Sequence, residues 1–518
     1  MVTGKKSEKY SYWFDSASRR DDLKSKSIKG GISTTANQFI SFGLNLISTF
    51  VLARILVPGD FGLIGMVTAF TGFAEIIKDM GLSMAVIQKE TITHEQVSNL
   101  FWTNIVICSA IAFAFIALSP MIVTLYQNNT KIYAIIFSYS ASIVISGFSI
   151  QHLALLNRKM LFSKITKGNI FACFLSVLSG IAAGLCGLGY WSIVILNTSL
   201  IFFNTIFAWL LCKWRPSLPR RHQGTKEFIH FGAAISGFNI TNYLSRNSDN
   251  ILIGRFIGST AVGIYSKAYQ LLMLPINQIR NPLMTVAISA MSALKNDSRR
   301  YILYYRKYVF LLAFFSMPMV ACLAIFAKEL ILIILGDQWL ACVPIFQVLA
   351  IAGFIQPVSS SGGLVMVSQG QTRKYFIIGC VSSTITIMGF VIGIHWGVIG
   401  TVIAFTFTAY LILVPTLFYS FRNTPIKMSM FFQEISLPIV HTFIFCILVI
   451  ILKRGLLYLE TPAIIAFIIV SATAFVLYYF SWKLYPLGRR KLENIQDLQA
   501  SIKARLSLPQ ILIYNTKK

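Results

Sequence analysis

The sequence predicts an all-α polytopic membrane protein of about 14 transmembrane helices. These form two six-helix lobes related by a parallel pseudo-twofold repeat, plus two C-terminal helices. Three observations carry the prediction. The 518 residues are 56% hydrophobic and 12% charged, more apolar side chain than a soluble protein hides behind so little polar surface. The apolar residues fall in stretches that cross a hydrocarbon core about 30 Å thick, which takes about 20 helical residues. A row of polar residues inside one such stretch recurs 201 positions later.

The expected spans of the first lobe are 31–54, 59–77, 98–125, 132–151, 168–187 and 190–211. Those of the second are 228–254, 262–292, 308–327, 341–369, 375–394 and 397–420, followed by 435–452 and 461–481. Each is an apolar run bounded by charged residues or Gly/Pro breaks. The N-terminal tail, 1–30, is hydrophilic and mixed in charge, so no cleavable signal peptide is expected. Residues 212–230 (CKWRPSLPRRHQGTKEFIH) are the only long basic, Pro-containing linker in mid-chain and separate an N-lobe, 31–222, from a C-lobe, 223–430. Residues 431–484 hold the last two spans, which have no repeat partner, and 485–518 form a polar tail.

The net charge of +27 records orientation rather than nucleic-acid binding. Alternate loops, beginning with the N-terminal tail, hold 36 of the 45 Lys and Arg residues, whereas the opposite loops hold six. That bias is the positive-inside rule, so both termini are expected in the cytoplasm and the span count is even. The basic loops also suit anionic membrane lipids. The eight cysteines are scattered without C-x-x-C spacing and read as small buried hydrophobes.

Gln38, Ser41, Asn45, Ser48 and Thr49 share one helical face at three- and four-residue spacing. Asn239, Asn242, Arg246, Asp249 and Asn250 occupy the same places in the second lobe, and the correspondence continues through Arg54 with Arg255 and Gly62 with Gly263. Near the lobe ends, Gly189-Tyr-Trp-Ser-Ile matches Gly397-Val-Ile-Gly-Thr at a shift of 208. Each lobe has an even number of spans, so the repeat is parallel about an axis along the membrane normal. A polar stripe within a bilayer is costly unless it faces protein or water. Two matched stripes therefore point to a shared internal cavity and to transport.

Arg246, Asp249 and Lys267 are the ions expected within spans seven and eight, Arg246 one turn from Asp249, and Asp249 and Lys267 at one depth. They are read as a network with surplus positive charge, either an ion cluster that fixes helix register or a substrate or coupling site in the cavity. Asp249 is the candidate for coupling transport to an H⁺ or Na⁺ gradient; no other cofactor is expected. Arg280, with Asn277 and Asn281, lies nearer the cytoplasm, as a headgroup contact or a snorkelling side chain. Glu75, Lys78 and Asp79 are either a solvated helix end or a cytoplasmic gate. Tyr243, Tyr265 and Tyr269 are candidates for stacking on sugar rings. Pro275 in span eight and Gln356-Pro-Val-Ser-Ser-Ser-Gly-Gly in span ten read as close-packing sites or as gating bends. No catalytic signature is present: there is no G-x-x-x-x-G-K-[ST] loop, Ser98 stands where H-E-x-x-H needs its second His, and no metal cluster is expected.

Three long stretches carry a family resemblance: 62–102 (GLIGMVTAFTGFAEIIKDMGLSMAVIQKETITHEQVSNLFW), 249–283 and 335–357 (LGDQWLACVPIFQVLAIAGFIQP). The chain resembles the bacterial oligosaccharide/polysaccharide flippases, in the colanic-acid-exporter-like branch of the multidrug/oligosaccharidyl-lipid/polysaccharide exporter superfamily. The resemblance implies two six-helix lobes in a V. It also implies movement of an undecaprenyl-pyrophosphate-linked oligosaccharide from the cytoplasmic to the periplasmic leaflet of the inner membrane. Charged cavity residues are implicated in general terms, which here picks out Arg246, Asp249 and Lys267 with Asn242, Asn250, Asn45, Gln38, Ser41 and Arg280 around them. Lys267 stands where many relatives are expected to have Arg, which removes a bidentate phosphate grip. The expected partners are the lipid-linked oligosaccharide and membrane lipids, with polysaccharide polymerase and assembly proteins as further candidates; nucleic acid is not expected. Three alternatives stand beside this reading: a cation-coupled multidrug antiporter of the same superfamily, a peptidoglycan-precursor flippase, and a non-transporting scaffold for polysaccharide assembly enzymes.

Overall fold

A computed structural model describes residues 10–14, 23–79, 81–89, 91–219, 243, 247–458, 463–486 and 488–491. These residues are α-helical throughout, apart from short turns and two single 3-10 turns, and contain no strand. Sixteen helices of seven residues or more are labelled in chain order. The first seven are α1 Leu23–Ile55, α2 Pro58–Ile77, α3 Leu82–Gln88, α4 His94–Leu125, α5 Lys131–Arg158, α6 Phe162–Leu185 and α7 Trp191–Cys212. The rest are α8 Ser259–Ala293, α9 Ser298–Ile325, α10 Ala327–Ile334, α11 Cys342–Ser359, α12 Ser361–Ser368, α13 Thr372–Gly393, α14 Gly397–Phe421, α15 Met428–Tyr458 and α16 Ala463–Leu484.

A helix stands at each expected span except the seventh, 228–254, most of which lies outside the described residues; its end, 247–256, is helical. Several helices start earlier than hydropathy alone suggests, and capping explains why. Thr93 and Gln96 form a reciprocal capping box, each side chain accepting the other's backbone N–H at 3.2 Å, so α4 begins at His94. Asp297 accepts the Arg300 N–H at 3.0 Å and starts α9 well before the apolar run.

Ten helical stretches among the described residues are long and apolar enough to cross a membrane. Neither α2 nor α8 is one of them. α8 carries Lys267, Gln270, Asn277, Gln278, Arg280 and Asn281 along its length, and a helix that polar must be sheltered by protein or water on one side.

The chain divides into two compact units. The first comprises residues 1–267, 334–342 and 379–404, the second 268–333, 343–378 and 405–518. One core of the first unit gathers Leu82 and Val86 of α3, Leu100 and Phe101 of α4, Leu155 of α5 and the buried Trp214. The second unit packs Tyr301, Tyr305 and Leu312 of α9 against Val358, Leu364, Leu417 and Phe431. A further cluster joins Phe310 and Phe314 to Phe445, Tyr478 and Trp482, which fastens α15 and α16 to α9.

Candidate functional site

In the first unit, α1 carries the first polar stripe. Gln38 and Asn45 are exposed, Ser41 and Thr49 half-buried and Ser48 buried. At about 100° per residue, the exposed Phe39, Ile40, Ile47 and Phe50 lie on the opposite side of the helix. The stripe thus points away from the apolar open face. Its groups are partly satisfied locally: the Asn45 side-chain N–H donates to the Ser41 carbonyl at 2.8 Å, and the Ser41 hydroxyl to Asn37 Oδ1 at 3.3 Å.

The second stripe is described only at its end. Asn239, Asn242 and Arg246 lie outside the described residues. Asp249 is 7% exposed. Its carboxylate accepts the Tyr265 hydroxyl at 2.7 Å and the Asn250 backbone N–H at 2.7 Å. The Asn250 amide oxygen is buried without a hydrogen-bond partner among the described residues. Lys267 is 9% exposed, and its ammonium lies 4.3 Å from the centroid of the Phe61 ring. Asp249 and Lys267 do not form a direct ion pair; an aromatic hydroxyl holds the one and an aromatic face the other. Of the expected three-residue network, Arg246 lies outside the described residues, and the two described members have Tyr265 and Phe61 beside them. With its ring buried and its hydroxyl engaged, Tyr265 is not placed to stack on a sugar. The Tyr243 hydroxyl donates to the Thr68 carbonyl at 2.7 Å, and Tyr269 meets the Phe405 ring edge-on.

In the second unit, residues 268–293 of α8 show what sequence spacing did not single out. Gln270, Gln278, Asn281, Thr285 and Ser289 recur at about one or two turns and are all exposed. This is a polar open face that runs from Gln270 to Ser289. The exposed faces of three other helices are apolar: Phe171, Phe174 and Leu178 on α6; Ile403, Phe407, Leu411 and Phe418 on α14; Phe443, Ile447 and Ile451 on α15. Those suit acyl chains, whereas the α8 face suits water. Arg280 is half-buried beside it, its guanidinium donating to Asn277 Oδ1 at 2.9 Å and Asn281 Oδ1 at 3.3 Å. The two amide oxygens hold the guanidinium in place along the helix.

At the end of α2, Glu75 and Lys78 pair within one turn at 2.5 Å. Asp79 accepts the backbone N–H and the hydroxyl of Ser83, which fixes the start of α3. A further polar contact escaped the sequence reading. Gln151 donates to Asn104 Oδ1 at 2.7 Å, and Asn104 to the Lys78 carbonyl at 3.1 Å, with both side chains buried. The breaker in span ten is a packing site at Gly362, where an added Cβ would lie 3.0 Å from Ser420 Oγ.

Among the described residues, a polytopic helical bundle with apolar open faces and a long polar one has the make-up of a multi-pass membrane transport protein. The chain belongs to the polysaccharide biosynthesis protein family, whose model matches residues 51–344. It is 30% identical over 320 residues to the teichuronic acid biosynthesis protein TuaB of Bacillus subtilis (strain 168), covering 59% of this chain and 64% of that protein. It is 24% identical to the lipopolysaccharide biosynthesis protein WzxC of Escherichia coli (strain K12), covering 80% and 86%. Its fold is similar to that of a solved structure, the lipid II flippase MurJ in its inward closed conformation, with a TM-score of 0.67 at 14% identity over 88% of this chain and 99% of that one.

Proposed function

We propose that the protein flips an undecaprenyl-pyrophosphate-linked oligosaccharide repeat unit from the cytoplasmic to the periplasmic leaflet of the inner membrane for surface polysaccharide synthesis. The observation that carries this reading is the polar open face of α8, with Lys267 and Asp249 buried near its first turns. Sugar hydroxyls need uncharged donors and acceptors, which Gln270, Gln278, Asn281, Thr285 and Ser289 supply. A pyrophosphate needs positive charge, and a cation in a low-dielectric setting attracts it far more strongly than one in water. Lys267 and Arg280 are the cations for that role, at different depths of the same helix. The matched polar stripes of α1 and of residues 239–250 suit two lobes that alternate access to a shared cavity. Coupling to an H⁺ or Na⁺ gradient falls to Asp249, the acidic member of this group.

Deletion of the gene tests the reading. The expected result is a lipid-linked oligosaccharide that accumulates on the cytoplasmic leaflet, cleared by the wild-type gene and not by Lys267→Met made to the same level. Absence of any such intermediate rules the flippase reading out.

A further inference from the structure

We propose that Gln338 and Trp339 form a latch on the end of α1, and that its hold is set by what engages Lys267. The inference rests on the transport reading above, but its measurement does not require transport.

The latch follows from how α1 stops. α1 ends at Ile55 and Pro58 lacks an N–H, so the helix closes the Leu52 carbonyl, which accepts the Leu56 N–H at 2.8 Å, but runs out of donors for the carbonyls that follow. A segment far away in sequence supplies replacements. Trp339 Nε1–H donates to the Ala53 carbonyl at 2.8 Å, and the Gln338 side-chain N–H donates to the Leu56 carbonyl at 3.0 Å and also to that of Ala53. Trp339 is fully buried. The segment is short and sharply turned: Gly336 holds φ +100, a conformation other residues rarely adopt, and Asp337–Trp339 is a single 3-10 turn between α10 and α11. Carbonyls at a helix end are accessible to water when uncovered, so the latch can open without stranding them.

The link to the cation runs through one ring. Phe61 stands between Lys267, whose ammonium lies 4.3 Å from its centroid, and Trp339, whose ring meets it edge-on at 5.3 Å. An anionic group that draws Lys267 off the ring removes a cation–π contact and leaves Phe61 free to shift against Trp339. The bias in loop charge assigns this end of α1 to the outer side of the membrane. A pyrophosphate bound at Lys267 would thus loosen the outer end, the direction in which the cargo leaves. Differential affinity of this kind is what a ligand needs to shift a conformational equilibrium.

Cys342 is a native reporter. It is fully buried, with its thiol donating to the Ile264 carbonyl at 3.3 Å, three residues past Trp339. With the other seven cysteines replaced by Ser, full-length protein in right-side-out membrane vesicles is treated with a membrane-impermeant maleimide. Labelling of Cys342 is expected to be slow in this parent and several-fold faster in Trp339→Ala and in Gln338→Ala, each checked for folding by its size-exclusion profile. Undecaprenyl diphosphate is expected to speed labelling in the parent and to lose that effect in Lys267→Met and Phe61→Leu. Unchanged labelling in the folded Gln338→Ala variant overturns the latch. An equal response to undecaprenyl diphosphate in the parent and Lys267→Met, or none in the parent, overturns the coupling. Faster labelling in the latch variants of a protein that flips no lipid-linked sugar supports the latch and removes only the proposed cargo.

Discussion

Gly62 and Gly263 back onto each other where α2 crosses the start of α8. A Cβ on Gly62 would overlap the Ser259 carbonyl and lie 2.9 Å from Gly263 N; one on Gly263 would overlap the Pro58 carbonyl and lie 3.1 Å from Gly62 N. The contact is reciprocal, because Pro58 and Ser259 are separated by the same 201 residues as the two glycines. Reciprocity of this kind is what a two-fold relation produces at its axis. The repeat legible in the sequence is thus also the contact that brings two helices to backbone distance.

The first prediction concerns that crossing. Gly62→Ala and Gly263→Ala force backbone apart from backbone, where no side chain can yield. Each is expected to cost at least the ~1–3 kcal/mol of an overpacked core and to lower the detergent-phase melting temperature. Gly43→Ala in α1 is the control, because nothing lies within 4 Å of its added Cβ. It should be neutral or stabilise by ~0.5–1 kcal/mol, the helical preference of Ala over Gly. Equal melting temperatures for Gly62→Ala and Gly43→Ala would contradict the close crossing.

A second prediction uses the same crossing to stop motion. An added Cβ on Gly59 lies 3.3 Å from Thr260 Oγ1, again a pair separated by 201 residues. A cysteine sulfur in the place of that Oγ1 would stand within disulfide reach of one on residue 59. Gly59→Cys with Thr260→Cys, in a background lacking the native cysteines, is expected to cross-link under mild oxidation and to halt clearance of the lipid-linked sugar. Reduction should restore it. Full activity of the oxidised protein would show that this crossing stays closed throughout the cycle.

The third prediction separates structure from coupling at Asp249. Tyr265→Phe removes a donor from a buried carboxylate, an interaction worth about 1.5–3 kcal/mol. Asp249→Asn retains an oxygen that accepts the Tyr265 hydroxyl, so it should melt nearer the wild type than Tyr265→Phe does. If Asp249 also couples transport to an ion gradient, Asp249→Asn loses transport while keeping that stability. Wild-type transport by a stable Asp249→Asn variant assigns the residue to architecture alone.

How much of this was legible follows from where lipid acts on the chain. Apolar run length located the spans, because the bilayer selects directly for it. It could not find the first turns of α9, which carry Arg299, Arg300 and Arg306 and are held by the Asp297 cap and by burial of Tyr301 and Tyr305. The polar stripe of α1 was visible because its members are closely spaced. The face of α8 was not, because Gln278, Thr285 and Ser289 are uncharged and diluted by Pro282, Met284 and Val286; exposure distinguishes them, and spacing alone does not. Asp249 was expected beside Lys267 because both are charged and at one depth. Tyr265 took the position because the turn at Gly258, with φ +122, sends α8 back along residues 247–256. Such partners are chosen by tertiary geometry, as is the contact of Gln151 with Asn104.

Glu434 ties α15 to its surroundings and gives a prediction free of the transport reading. It is 4% exposed and accepts Arg306 Nε–H at 2.6 Å and Lys491 Nζ–H at 2.8 Å. Glu434→Gln leaves two cations facing a neutral amide and should cost about 1–3 kcal/mol. Arg306→Gln should cost less, because Arg306 is 39% exposed and already partly solvated. A double-mutant cycle in thermal unfolding reads the coupling directly, and a coupling near zero would make the contact incidental.

The last prediction addresses the polar face of α8 itself. If that face meets lipid, Gln278→Leu, Thr285→Val and Ser289→Ala exchange poor lipid contacts for good ones and should stabilise the protein without loss of function. If it meets a water-filled path, the same changes remove hydrogen-bonding groups that a sugar needs, and clearance of the lipid-linked oligosaccharide falls. Stability should then change little, because exposed groups give up only solvation; surface substitutions usually lie within about 0.5 kcal/mol. Ile403→Ser and Phe407→Ser on α14 are the mirror test, since they place hydroxyls on a face that is wholly apolar. They should destabilise the protein, at the cost of polar groups turned toward hydrocarbon, and leave turnover per folded molecule unchanged. Opposite responses from α8 and α14 identify the path; parallel responses would mean that both helices face the same solvent.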